Sequence, residues 1–229
     1  MRRPMPAAPA EVVRPYLPEA AVGHVAQLLA AFAVDVRVVR PRRTKLGDHR
    51  PPPAPLRPHR ITVNADLNPY AFLTTLLHEL AHAATWERHG RRRRRVRPHG
   101  VEWKREFSAV LAPIVAARVF PDDVAAAVAR SLANPAAATC SDRGLLLALA
   151  RHDPPPPAGR VRVEDLSEGS WFRIDGRHAF RAGRLVRTRR QCFEAGTNRE
   201  YRVHGLLLVE PTDGPEDCPR RRVARRGKR

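Results

Sequence analysis

Between positions 18 and 33 the apolar residues Ala21, Val22, Val25, Leu28, Leu29 and Phe32 recur at three- and four-residue spacing, the stripe of an amphipathic helix. Residues 34–38 then alternate apolar and polar, as a strand does. The segment 41–59 is polar and rich in proline and reads as a connection, with a turn at Lys45-Leu46-Gly47-Asp48. A short β-branched run, 60–64, predicts a strand that we expect at a sheet edge. Asn68 follows as a helix cap and Pro69 as a first-turn residue. The next helix should run from about 70 to about 86. A further helix begins near His99, with Trp103, Phe107, Val110, Leu111 and Ile114 on one face and Pro113 placed to bend or end it. Residues 121–132 can form another. From 159 the period changes: 171–174, 179–187, 191–194, 201–203 and 206–209 are strand-like, with turn residues at Asp175-Gly176 and Gly196-Thr197-Asn198. The pattern predicts an α+β chain, with helices packed on a small sheet at 1–133, a Pro/Ala-rich linker at 134–158, a small antiparallel β-barrel at 159–211 and a disordered basic tail at 212–229.

Charge adds a partner class. Lys and Arg total 42 against 23 Asp and Glu, a net charge of +19, which favours a polyanion such as nucleic acid. GC-rich codon bias would explain the choice of Arg over Lys better than so large an excess over acids. The basic runs at 91–95 and 220–229 and the barrel arginines Arg173, Arg177, Arg181, Arg184, Arg187, Arg189 and Arg190 are candidate phosphate contacts. Three cysteines, Cys140, Cys192 and Cys218, form no CxxC pair, so neither a disulfide framework nor a cysteine zinc ribbon is predicted. The chain shows no membrane-length apolar run and no signal-peptide pattern, which predicts a cytoplasmic protein with no membrane partner.

Chemistry concentrates at Leu76-Leu77-His78-Glu79-Leu80-Ala81-His82, an HExxH sequence inside the predicted helix. Residues i and i+4 lie one above the other, so His78 and His82 can share a zinc ion while Glu79 projects toward its water. Leu73, Leu76, Leu77 and Leu80 surround the pair, and two histidines and a carboxylate in that setting would be costly without a metal to satisfy them. His99 opens the next helix and is available as a third ligand. His89 falls one residue too late for an HExxHxxGxxH arrangement, with Arg88 at the required position, and two helical turns beyond His82 it lies about 10 Å along the axis. It reads as a loop histidine.

With these residues in view, the chain resembles the SprT-like family of zincin metallopeptidases. The resemblance rests on Thr44-Lys45-Leu46-Gly47-Asp48, Ile61-Thr62-Val63-Asn64, Leu67-Asn68-Pro69, the motif His78 to His82, and His99-Gly100-x-x-Trp103, and covers about residues 18 to 118. It implies a minimal zincin fold, Zn2+ held by His78, His82 and His99, Glu79 as the catalytic acid/base, and a protein substrate associated with or crosslinked to DNA. The sequence departs from members that carry a cysteine zinc ribbon; its C-terminal part is similar instead to a small SH3-like barrel.

A reading from another class is a non-catalytic nucleic-acid-binding protein with a structural zinc site, in which Trp171, Phe172 or Tyr201 would stack on unpaired bases. The aromatics read better as core. Glu79 separates the two, because a structural zinc has no use for a carboxylate there.

Overall fold

The computed structural model describes residues 8–42, 45–54, 57–90, 96–133, 142–176 and 178–215, so the basic runs at 91–95 and 220–229, Arg177, Cys140, Cys218 and all of the expected tail beyond 215 lie outside the described residues. The chain divides into two compact units, Met1–Pro154 and Pro155–Arg229.

The first unit opens with α1 (Pro9–Val13) and α2 (Glu19–Ala31), the latter burying Ala21, Val22, Val25 and Leu29 of the stripe. Strands β1 (Val34–Val39), β2 (Gly47–Arg50) and β3 (His59–Asn64) form one sheet in the order β1-β3-β2. β1 runs parallel to β3 and β2 antiparallel to it. The expected edge strand at 60–64 is therefore the central one. The edges are β1 and β2, and β2 lies in a segment read as a connection, because a strand of sequence Gly-Asp-His-Arg carries no apolar alternation and is specified by its partner.

Helix α3 (Pro69–His89) follows β3 directly. Asn68 caps it, its Oδ1 accepting from the main-chain N–H groups of Tyr70 and Ala71 with Pro69 in the first turn. The helix is buried almost all round from Ala71 to Thr85, so it is the centre of the unit rather than a surface helix. Helix α4 (Val101–Ala116) packs Trp103, Phe107, Val110, Leu111 and Ile114 inward, and Pro113 lies exposed in its last turn. α5 (Asp122–Ala133) and α6 (Arg143–Ala150) complete the unit. α6 falls where linker was expected, yet Leu145, Ala148 and Leu149 join the core of the unit. The Asn68 amide Nδ2 donates to the Leu149 carbonyl at 2.9 Å, so the residue that caps α3 also pins α6. No helix among the described residues is long and apolar enough to cross a membrane.

The second unit contains β4 (Val161–Arg162), β5 (Trp171–Ile174), β6 (His178–Val186), β7 (Arg189–Glu194), β8 (Glu200–His204) and β9 (Leu208–Thr212). They form an antiparallel sheet in the order β4-β9-β5-β6-β7-β8. Among the described residues no pairing joins β8 to β4, so the sheet is open and the expected SH3-like barrel is not closed. Its core is Val163, Leu166, Phe172, Phe180, Ala182, Cys192 and Val209, which places Phe172 in the interior; Tyr201 is half-buried against it.

Candidate metal centre

Three histidine rings converge at the middle of α3. His78 and His82 stand one turn apart on the helix, and His99 reaches them from the loop before α4. Their Nε2 atoms are 3.3 Å (His78 to His82), 3.1 Å (His82 to His99) and 3.0 Å (His78 to His99) apart. Three mutually facing nitrogens cannot all be paired as donor and acceptor. At least two must be alike, both carrying hydrogen or both bare, and that pair repels. One cation facing three bare nitrogens removes the conflict, and tetrahedral zinc with bonds of about 2.1 Å sets its ligand nitrogens roughly 3.4 Å apart. The cluster fits such an ion.

Burial, followed by the positive charge its histidine neighbours would add, pushes the His78 imidazole down to about 3. Burial and then His99 bring His82 to about 4, and burial lowers His99. All three are thus kept in the neutral form that ligates metal. Below them Trp103 is 1% exposed, its ring 4.6 Å from the His78 ring and 4.7 Å from the His99 ring, and stacked at 5.0 Å on Phe107. The indole fixes the orientation of the rings from beneath.

His99 takes a left-handed backbone conformation, φ 58°, rare for a non-glycine residue. The Gly100 N–H donates to the Arg97 carbonyl at 2.9 Å and closes the turn. A Cβ at Gly100 would sit 3.0 Å from that carbonyl, so the tight approach suits glycine. This turn aims the His99 ring back at α3 while the next residue starts α4.

Glu79 is 7% exposed and faces β2. Burial is the largest influence on its carboxyl and raises it to about 7; Asp48 adds to the rise, while Arg42, Lys45 and a hydrogen bond from the main-chain N–H of His49 oppose it. A cation among the histidines would draw it down again. Gly47 is required by the same contact: a Cβ there would lie 2.6 Å from Glu79 Oε1 and 2.8 Å from the Thr75 methyl. A cavity of about 730 Å³ opens over the centre, walled by Gly47, Asp48 and His49 on one side, by Val96, Arg97 and Pro98 on the other, and by Trp86 and His89 toward the end of α3. His89 lies apart from the cluster, with Nε2 3.8 Å from Glu106 Oε1. His49 and Trp86 were not singled out by sequence, and Gly47 was read only as part of a turn and of the Thr44 to Asp48 motif, with no role at the site.

A helix-borne HExxH whose histidines meet a third one from the following loop, with the glutamate buried beside them, can hold a metal ion. Residues 26–120 match the SprT-like family, so the first unit carries a SprT-like segment and the resemblance drawn from the motifs is borne out there. None of the curated proteins or solved structures compared with the chain matches it.

Proposed function

We propose that the chain is a zinc metalloendopeptidase in which His78, His82 and His99 hold Zn2+ and Glu79 is the general base. The observation that carries this reading is the placement of an otherwise costly buried carboxylate beside three converging Nε2 atoms. Bound zinc supplies Lewis acidity, lowering the pKa of water and polarising a carbonyl. Glu79 takes the proton of the attacking water and returns it to the leaving amine, with the His49 N–H holding its carboxylate and Gly47 leaving it room. The edge strand β2 offers a substrate segment main-chain pairing along the cavity, a mode that reads extended shape more than side chains.

The net charge of +19 supports a substrate that is protein associated with or crosslinked to DNA. Glu79→Gln, which preserves shape and removes the base, is expected to retain zinc and fold and to lose at least roughly 10²–10⁴-fold of the cleavage rate. Cleavage of an unfolded or DNA-crosslinked protein, measured with and without single-stranded DNA, reads it out. Undiminished cleavage by the variant sinks the enzymatic reading, and zinc retention without cleavage by the parent chain favours a structural site in a nucleic-acid-binding protein.

A further inference from the structure

The wall that β2 contributes to the cavity is tied down by a chain of hydrogen bonds. His49 Nε2 lies 2.9 Å from His59 Nδ1, and His59 Nε2 lies 2.9 Å from Glu87 Oε1. His59 is 1% exposed, so both nitrogens of a buried ring are engaged. The His49 ring lies stacked between its neighbours, 5.1 Å from the His59 ring and 6.1 Å from that of His82. We propose that Glu87, acting through His59 and His49, is a positioning device that holds β2 in place and with it the carboxylate of Glu79. The proposal rests on Glu79 as the base and names what keeps it aimed.

The chemistry of the partners fixes the direction of the chain. A carboxylate oxygen only accepts, so His59 donates from Nε2–H to Glu87. When the His59 ring is neutral, hydrogen on Nε2 leaves Nδ1 bare to accept, and His49 then donates from its own Nε2–H. In that arrangement each ring carries its hydrogen on Nε2.

Geometry gives the chain its leverage. β2 has four residues and, among the described residues, pairs on one side only, with Gly47 opposite Val63 and His49 opposite Ile61. A slip of one residue would carry the His49 ring to the other face of the sheet and move the Gly47 backbone off Glu79. His49 is bound at two points: its main-chain N–H donates to Glu79, and its ring is held by His59. Glu79 and Glu87 are both on α3, eight residues and about 12 Å apart along the axis. The path from Glu79 through His49 and His59 to Glu87 thus closes on a single helix, and removing its far end should be felt at the near one.

The test uses the full zinc-loaded chain. Glu87 is half-exposed, so Glu87→Ala is expected to fold, to keep its zinc, and to lose roughly ten-fold in kcat/KM through misplacement of the Glu79 carboxylate. Glu87→Gln, whose amide oxygen still accepts, should recover most of that loss. Nitrogen-15 NMR of the wild type should find hydrogen on Nε2 of both His49 and His59, and the His49 main-chain N–H should exchange faster in Glu87→Ala. Unaltered kcat/KM in Glu87→Ala, a Glu87→Gln variant no better than Glu87→Ala, hydrogen on Nδ1 of His59, or unaltered His49 exchange would each overturn the proposal. The tautomers and the exchange can be read without turnover, so they decide it even if the chain cleaves nothing.

Discussion

The two units bury polar groups for different ends. Among the described residues of the second, Arg190 is the buried ionisable group apart from the Cys192 thiol, and its guanidinium donates to the carbonyls of Gly183 and Glu164; the charge serves main-chain acceptors beside the irregular pairing between Ala182 and Leu185. The first unit buries His59, His78, Glu79 and Glu106; His78 and Glu79 line one cavity, and His59 is hydrogen-bonded to His49 in its wall. Burying titratable groups costs stability unless each is satisfied, and the three converging histidine nitrogens are placed so that a metal ion could satisfy them. A buried arginine that ends on carbonyls is architecture. Histidines whose ring nitrogens converge can hold a metal ion.

Changes in the first unit should therefore cost function and those in the second stability. The largest effect is expected from His99→Ala, which removes one of the three nitrogens: zinc affinity should fall at least roughly ten-fold and activity should disappear, read by metal quantification on the purified variant. Gly47→Ala comes next. Its Cβ would collide with Glu79 Oε1, so the carboxylate or the strand must move, and displacement of about 1 Å can cost on the order of 10²-fold in rate. Zinc content should be unaltered, and steady-state kinetics beside metal analysis check both. Arg190→Met should remove the guanidinium's hydrogen bonds to the Gly183 and Glu164 carbonyls and destabilise the second unit by about 1–3 kcal/mol, seen as a lower thermal midpoint, with zinc content intact. His89→Ala should be close to wild type in zinc and rate; a drop matching that of His99→Ala would break the assignment of the third ligand.

The parts of this picture legible in the sequence are those fixed by local rules. Asn68-Pro69 announced the start of α3, four-residue spacing placed His78 and His82 on one face, and His99 stood where the next helix begins. The rest depended on long-range pairing. Gly47–Arg50 is polar and becomes a strand only because β3 lies beside it, so the edge of the sheet was assigned to the wrong strand. Leu145, Ala148 and Leu149 looked like an apolar patch in a linker because the Asn68 amide that ties them to α3 is 81 residues away in sequence. The link from His49 through His59 to Glu87 joins two strands and a helix, and only the antiparallel register brings the three side chains together. In the second unit, alternation located most strands, but closure of a barrel depends on strand tilt and stagger, which alternation does not encode.

X-ray absorption at the zinc edge of the purified wild-type chain tests the centre most directly. An open catalytic site built on His78, His82 and His99 predicts one zinc per chain, with three imidazole nitrogens and one oxygen ligand at about 2.0–2.1 Å. A chain that binds no zinc, or a zinc closed by four protein ligands, would contradict it.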